Sequence, residues 1–230
     1  MARIPSRDTV TNRILAQLSD QDFGVLAPHL ETVDLPVRKV LERRQRKISA
    51  VYFPESGYAS VVANGSSGQA IEVGLIGREG MTGLAVILGA DRPPRHETYM
   101  QAAGTGWCLT SNSLRTVIDK NASLHRSLLL YAHYFQTQTT ETALANGRSK
   151  IEERLARWIL MADDRIDGDE LPLTHEFLSL MLGTRRAGVT VAVQALTRAG
   201  LISARRSRIT VVDRAALEKH ANGTYSRPPR

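Results

Sequence analysis

The chain has 230 residues and a formal net charge of +7, so it is long enough for two domains and carries an excess of cations. Its single cysteine, Cys108, excludes an intrachain disulfide and a cysteine-based metal or iron–sulfur site within one chain. No apolar run approaches the roughly 18–20 residues of a membrane span, and the first residues lack the apolar core of a secretion signal. We therefore expect a cytoplasmic protein with no membrane partner, no metal site and no bound cofactor.

The first half of the chain changes from helical to strand-like patterning near residue 31. Residues 7–30 are predicted to be helical because apolar residues recur on one face. Between residues 31 and 110, short β-type runs recur about every ten residues and are separated by turns. Asn64-Gly65, together with Gly68, marks one hairpin. This pattern predicts an antiparallel β-roll, and we assign residues 1–120 to a sensor domain made of the roll and its flanking helices.

A long helix is predicted over residues 121–146. Its apolar residues are separated by four and three positions in turn, the heptad spacing of a helix that pairs with a second copy of itself. The alternative is that this stripe packs against the roll of its own chain. The break at Asn146-Gly147 predicts a hinge, and we assign residues 147–230 to a C-terminal domain. The residues of the predicted dimer stripe are Leu124, Leu128, Tyr131 and Phe135.

The stretch from residue 171 to residue 212 predicts two short helices joined by a glycine turn. Thr174 is a candidate N-cap of the first helix, which has an apolar face typical of burial. Gly183 ends this helix, because only glycine adopts a left-handed turn conformation at little cost. Thr184 is a candidate cap of the second helix, in which apolar residues repeat every three or four positions. This second apolar face consists of Val189, Ala192, Val193 and Leu196.

The exposed side of the same stretch is basic. Two short strands flank Arg205-Arg206-Ser207-Arg208, which predicts a wing with a basic tip. Residues 171–230 contain 10 Lys and Arg residues against 3 Asp and Glu, whereas residues 1–170 contain 20 of each kind. Phosphate neutralisation requires such a concentrated positive field, and folding does not. We therefore predict DNA binding, and the alternative is an ordinary helical core fragment with a solvated arginine-rich edge.

This order of parts, a β-roll, a long dimer helix and a winged helix-turn-helix, resembles the Crp/Fnr superfamily of bacterial transcription regulators. The resemblance is most specific from Leu173-Thr174 to Leu201-Ile202, where LT…LG…RR…V…AL…GLI follows the family's pattern. It implies an α+β fold whose second helix-turn-helix helix enters the DNA major groove. It also implies that Arg186 pairs with a guanine, while Thr184 and Arg185 contact phosphates and bases at the start of the helix.

Two departures from the family's pattern predict a different operator sequence. Ala187 stands where the family has a base-reading glutamate, and Val191 stands where its best-known member has an arginine. Thr190 and Val191 are candidates for contact with thymine methyl groups, and Gln194 for contact with an adenine. The full set of candidate DNA-binding residues is Thr174, Thr184, Arg185, Arg186, Thr190, Val191, Gln194, Arg205, Arg206 and Arg208.

The resemblance also implies an effector site in the roll, where many members of the superfamily bind a cyclic nucleotide. The expected glutamate is missing next to Met81, and Arg95 is followed by His96-Glu97 instead of Ser-Ala. A carboxylate near a cyclic phosphate repels it, so we predict a degenerate nucleotide site. Haem or another small ligand near His133 is the alternative. The candidate pocket residues are Gly80, Met81, Thr82, Arg95, His96 and His133.

The sequence therefore predicts a sequence-specific DNA-binding regulator that acts as a homodimer on a palindromic double-stranded operator. RNA polymerase is an expected partner, and a small-molecule effector of unknown identity is a further candidate. The alternative is a ligand-binding sensory module whose basic C-terminal part docks onto an acidic protein. An enzyme is not expected, because the sequence contains no glycine-rich phosphate loop, no nucleophile-elbow motif and no His-Glu-x-x-His motif.

Overall fold

The computed structural model describes residues 5–65, 69–90 and 92–228, so Gly68 of the predicted hairpin lies outside the described residues. The chain forms two compact units. Among the described residues, the first unit consists of those in the ranges 5–61 and 76–136, and the second of those in the ranges 62–75 and 137–228. The predicted α+β class is confirmed, with strands dominating the first half of the chain and helices the second. None of the helices in these described ranges is long and apolar enough to cross a membrane.

Two sheets make the roll. The first has the strand order β1-β7-β3 and the second the order β2-β6-β4-β5, and the boundary between the two units runs through β4. β7 pairs antiparallel with β1 and with β3, which places Trp107 opposite Thr32 on one side and opposite Phe53 on the other. The strands are β1 (Glu31–Leu35), β2 (Val40–Glu42), β3 (Ala50–Pro54), β4 (Tyr58–Asn64), β5 (Ala70–Ile76), β6 (His96–Ala102) and β7 (Gly104–Thr110).

Short helices cover one face of the first sheet and share a core with it. Asn12 and Ser19 cap the first two helices, since each side chain accepts a hydrogen bond from a backbone N–H three residues on. Leu15, Phe53 and Leu114 are fully buried in that core. The helices of the first half are α1 (Arg13–Gln17), α2 (Asp20–Leu26), α3 (Leu84–Ile87) and α4 (Ser111–Lys120).

The long helix α5 (Ala122–Arg148) extends beyond its predicted end. The helix continues through Asn146 and Gly147, so the predicted break at this pair is wrong. A glycine in a helix interior costs only about 1 kcal/mol, and the Asn146 Oδ1 accepts a hydrogen bond of 3.1 Å from the Arg154 Nε instead of forming a turn. The chain bends after Arg148, before α6 (Ile151–Asp163).

The predicted dimer stripe of α5 faces the core of its own chain. Leu124 and Leu128 are fully buried, Tyr131 is 5% exposed, and Phe135 packs against the same core. The alternative assignment, packing within one chain, is therefore the correct one for these four residues. The opposite face of α5 carries a second stripe with the same spacing, in which every position is exposed. This exposed stripe consists of Leu130, His133, Thr137, Thr140, Leu144 and Gly147.

The C-terminal part contains the two predicted helices and the predicted wing. Gly183 and Gly200 follow the two helices with φ of 57° and 73°, the left-handed conformation expected at each helix end. The wing strands form a sheet of order β8-β10-β9, and the sequence did not reveal its third strand, β8. The elements are β8 (Leu171–Pro172), α7 (His175–Met181), α8 (Arg186–Arg198), β9 (Ile202–Arg205), β10 (Arg208–Val211) and α9 (Arg214–His220).

Candidate nucleic-acid interface

Helix α7 is fixed at its start by Thr174. The Thr174 Oγ1 accepts a 3.1 Å hydrogen bond from the backbone N–H of Phe177, as the predicted N-cap does. The Phe177 ring meets Trp158 of α6 edge to face, with 5.6 Å between the ring centroids. Leu178 and Met181 are buried. The cap and the apolar face therefore position α7, and the hydroxyl proposed for DNA contact is used inside the protein.

Helix α8 begins one residue later than predicted. Arg185 takes the N-cap position without a side-chain hydrogen bond, and Thr184 is not the cap. The reason is that Thr184 belongs to the preceding turn, where its backbone N–H donates to the Ser179 carbonyl at 3.0 Å. The predicted apolar face is confirmed, because each of its residues is buried. These residues are Val189, Ala192, Val193 and Leu196.

The opposite face of α8 is turned outward. Arg185, Arg186 and Gln194 are exposed, and Val191 is 55% exposed although it is apolar. Thr190 differs, because its hydroxyl is half-buried and donates to the Arg186 carbonyl at 3.1 Å. An exposed apolar residue among polar neighbours has no packing function, whereas it suits contact with a thymine methyl group.

Sequence reasoning missed His175. Its Nδ1 lies 3.0 Å from the Thr190 Oγ1, which links the first turn of α7 to the outward face of α8. The only signal in the sequence is its position directly after the N-cap Thr174, where a side chain reaches towards the following helix. The structure thus places four predicted residues on α8 and adds His175 from α7 to them. The four are Arg186, Thr190, Val191 and Gln194.

The tip of the wing is basic and exposed. Arg206 and Ser207 form its turn with φ of 46° and 65°, and Arg205 and Arg208 flank them. Arg208 forms an ion pair with Glu170, so part of its charge is already neutralised. By contrast, four guanidinium groups at the start of α8 and on the wing have no carboxylate partner among the described residues. We call these four residues, Arg185, Arg186, Arg205 and Arg206, the basic surface.

Two other cations of this unit, Arg214 and Arg227, form ion pairs within the described structure. Arg214 lies 2.5 Å from carboxylate oxygens of both Asp163 and Asp164, and the Tyr225 hydroxyl donates to Asp164 at 2.7 Å. Burial, followed by the Asp164 contact, raises the pKa of Tyr225, so the phenol stays neutral. Arg227 pairs with Glu218 at 2.8 Å. The C-terminal residues are thereby tied to α6 and α9.

The candidate effector residues differ in burial. Met81 and Thr82 are fully buried, whereas Arg95 and His133 are exposed. The Thr82 Oγ1 accepts a 3.0 Å hydrogen bond from the Tyr52 backbone N–H, so it joins the turn to β3. Met81 and Thr82 therefore contribute to the core of the roll. Gly80 is required for another reason, because a Cβ at this position would lie 2.3 Å from the Tyr131 hydroxyl.

Glu42, which sequence reasoning missed, collects the polar groups of the predicted effector turn. Its carboxylate accepts hydrogen bonds of 2.6 Å from the Gly83 backbone N–H and 2.6 Å from the Thr98 hydroxyl. The His96 Nε2 lies 3.1 Å from the same carboxylate. Burial alone raises the pKa of the Glu42 carboxyl, but the bonds from His96, Thr98 and Gly83 outweigh burial and hold the pKa below its usual value. The Gly83 N–H and the Thr98 hydroxyl are therefore already bonded to an anion of the protein itself.

Comparison with known proteins agrees with this geometry. Residues 153–220 match the family model of the Crp-like helix-turn-helix domain. No curated protein matches the chain significantly. The expected resemblance to the Crp/Fnr superfamily is thus confirmed at the helix-turn-helix.

Solved structures extend the likeness to the fold of the rest of the chain. A Crp/Fnr-family protein from Eubacterium rectale has a TM-score of 0.73 at 15% identity, over 93% of this chain and 99% of that one. FixK2 from Bradyrhizobium japonicum has a TM-score of 0.70 at 16% identity, over 83% and 96%. TTHB099, a CRP-family transcriptional regulator from Thermus thermophilus, has a TM-score of 0.69 at 18% identity, over 85% and 99%.

Proposed function

We propose that this protein is a sequence-specific DNA-binding transcription regulator of the Crp/Fnr type, which acts in the cytoplasm as a homodimer and not as an enzyme. The observation that carries the proposal is the basic surface. Its four guanidinium groups lie on a Crp-like helix-turn-helix domain, are exposed, and have no carboxylate partner within the described ranges. Exposed, unpaired arginines cost the fold little and are suited to a polyanion.

The two parts of the basic surface have different tasks. Arg186 lies in the first turn of α8, the helix that enters the major groove in this kind of domain, and its planar guanidinium matches guanine O6 and N7. Arg205 and Arg206 lie on the wing, where they suit phosphates. Gln194 and Val191 follow Arg186 along the exposed face and read further base pairs. Ala187 has no group to donate or accept, so this position contributes little to the operator sequence.

The exposed stripe of α5 supports a homodimer. Leu130 is 68% exposed and Leu144 is 55% exposed, and the positions between them are separated by three and four residues. Two such stripes from two copies pack as a parallel pair, with Thr137, Thr140 and Gly147 small enough for a close approach. A two-fold dimer presents two α8 helices to half-sites about 34–36 Å apart, which predicts a palindromic operator. RNA polymerase is the partner that a regulator bound beside a promoter would contact.

The proposed regulator does not depend on a cyclic nucleotide. Glu42 holds the Gly83 N–H and the Thr98 hydroxyl, and its negative charge opposes a phosphate at the same place. A different small-molecule effector would therefore have to bind elsewhere in the protein.

Selection of bound sequences from a random double-stranded DNA library, with and without cyclic AMP, tests the proposal. We expect one palindromic site in both samples, and an affinity that falls steeply between about 50 and 200 mM salt. Recovery of a site only in the presence of cyclic AMP would refute the claim of nucleotide independence. Salt-insensitive binding, or equal affinity for all sequences, would instead favour the docking of this region onto a protein.

Sedimentation equilibrium tests the dimer through the exposed stripe. We expect Leu130→Glu and Leu144→Glu to convert the dimer into a monomer, because each places charges face to face at the centre of the pair. Leu88→Glu is the matched control, since Leu88 is 61% exposed and lies outside α5. A dimer that survives both substitutions would place the interface elsewhere.

A further inference from the structure

A cavity of about 400 Å³ opens on one face of the β1-β7-β3 sheet. The antiparallel register sets Thr32 opposite Trp107 and Asp34 opposite Thr105, so these four side chains share a face. Glu55, just after β3, joins them through a 2.8 Å hydrogen bond from its backbone N–H to the Thr105 carbonyl. The volume lies within the usual range of small-molecule sites. The cavity is lined by Thr9, Thr32, Val33, Asp34, Glu55, Thr105, Gly106 and Trp107.

Trp107, in the wall of this cavity, has an unsatisfied donor. The residue is 7% exposed, and its indole N–H has no hydrogen-bond partner in the described part of the chain. A buried donor without a partner is unfavourable, and an acceptor atom brought close to it would recover the missing hydrogen bond. The indole N–H of Trp158, in contrast, has a partner, because it donates to the Glu72 Oε1 at 2.5 Å.

The cavity is also acidic. Asp34 is exposed, and its carboxylate has no ion-pair partner among the described residues. The Glu55 carboxylate accepts from the backbone N–H groups of Thr11 at 2.8 Å and Asn12 at 3.0 Å, and it contributes a second negative charge. Lys39 donates to the Asp34 backbone carbonyl and lies over the Tyr52 ring, on the opposite face of the sheet. The cavity itself has no basic residue in its lining.

We propose that this cavity binds a small organic amine that also carries a hydroxyl group. The ammonium group pairs with Asp34 at the acidic end, where the threonine hydroxyls supply further acceptors. The body of the ligand packs on Trp107, and the hydroxyl oxygen of the ligand accepts a hydrogen bond from the Trp107 indole N–H. The site is separate from the predicted effector turn, which Glu42 closes, and from the basic surface.

Tyramine is a suitable probe, because it combines a primary ammonium, a flat ring and a hydroxyl oxygen. The chain contains two tryptophans, so the full-length protein gives two indole N–H signals in a proton–nitrogen correlation spectrum. We expect tyramine to shift the Trp107 signal saturably, with a Kd at or below about 1 mM. The Trp158 signal is the internal control and should stay in place. Trp107→Phe assigns the two signals.

Two comparisons make the experiment decisive. 4-Hydroxyphenylacetate keeps the ring and the hydroxyl but replaces the ammonium with a carboxylate, so it should not shift the Trp107 signal. Asp34→Asn should weaken tyramine binding about tenfold, whereas Asp119→Asn, an exposed carboxylate on α4, should not change it. The proposal is overturned if tyramine produces no saturable shift, if both ligands bind equally, or if Asp34→Asn binds as the unsubstituted chain does.

Discussion

The turn around Glu42 and the basic surface use polar groups in opposite ways. Around Glu42 a buried carboxylate collects donors from β6 and from the turn before α3, so these donors find their partner inside the protein. On the basic surface four arginines stay exposed and, in the described structure, without a carboxylate. In this molecule a polar group that finds its partner inside the protein serves the fold, whereas an exposed polar group without a partner is available for binding.

The energetics of the two regions differ accordingly. A buried carboxylate is tolerated only when its hydrogen bonds are made, so removing it leaves buried donors without partners. An exposed guanidinium is solvated, and its removal changes the free energy of unfolding little. We therefore expect substitutions around Glu42 to change stability without changing DNA affinity, and substitutions of the basic surface to do the reverse.

The largest expected effect follows Glu42→Ala. The substitution leaves the Gly83 N–H and the Thr98 hydroxyl buried without an acceptor, and we expect it to lower the free energy of unfolding by about 3 kcal/mol. Urea unfolding measures this value, and filter binding measures the affinity of the folded protein for its operator, which should not change. Glu97→Ala, in the same part of β6, is the control and should cost much less. Equal losses of unfolding free energy for Glu42→Ala and Glu97→Ala would contradict the stabilising role of the Glu42 hydrogen bonds.

The pH dependence of stability tests whether the charge of Glu42 stabilises the fold. Because the pKa of Glu42 is lower in the folded protein than in the unfolded chain, the ionised carboxylate stabilises the fold above its ordinary pKa. This contribution is lost as the pH falls through the lowered folded value. The stability difference between the unsubstituted chain and Glu42→Gln should therefore be largest near neutral pH and shrink in acid. A difference that is independent of pH would show that the charge of Glu42 contributes nothing.

These contrasts also explain what the sequence could predict. The buried faces of α7 and α8 follow from local periodicity, and the glycine turn and the wing follow from local turn signals. Glu42 could not be found this way, because its partners Gly83 and Thr98 lie 41 and 56 positions away. The prediction of the dimer stripe on α5 was wrong for another reason, because heptad spacing does not distinguish a helix that packs on the roll from one that packs on a partner helix. Only the burial of Leu124 and Leu128 makes that distinction.

On the basic surface the largest effect is expected for Arg186→Ala. The proposed bidentate contact of this guanidinium with a guanine is worth about 1–3 kcal/mol of discrimination, so operator affinity should fall by roughly 10- to 100-fold. Affinity for random DNA should fall less, and urea unfolding should not change. Arg198→Ala is the matched control, because Arg198 is exposed at the far end of α8. Unchanged operator affinity for Arg186→Ala would contradict the assignment of α8 as the recognition helix.

Thr174 lies on the same domain as the basic surface, but we expect its substitution to change stability, as substitutions around Glu42 do. Its hydroxyl caps α7, so Thr174→Ala should lower the free energy of unfolding by about 1 kcal/mol, and Thr174→Ser should restore most of it. Operator affinity per folded molecule should not change in either variant. A loss of affinity that serine rescues without any change in stability would return Thr174 to the set of DNA-binding residues.

The smallest expected effect separates two arginines of the wing by their partners. Arg206 has no ion-pair partner in the described structure, whereas Arg208 is paired with Glu170. Arg206→Ala should weaken binding to all sequences alike and lower the slope of log affinity against log salt by roughly 1, because one phosphate contact is lost. Arg208→Ala removes a charge that Glu170 already balances, so its salt slope should change less. If the two variants show the same salt slope, the Arg208–Glu170 ion pair opens on DNA. Arg206 and Arg208 would then contribute equally to phosphate binding.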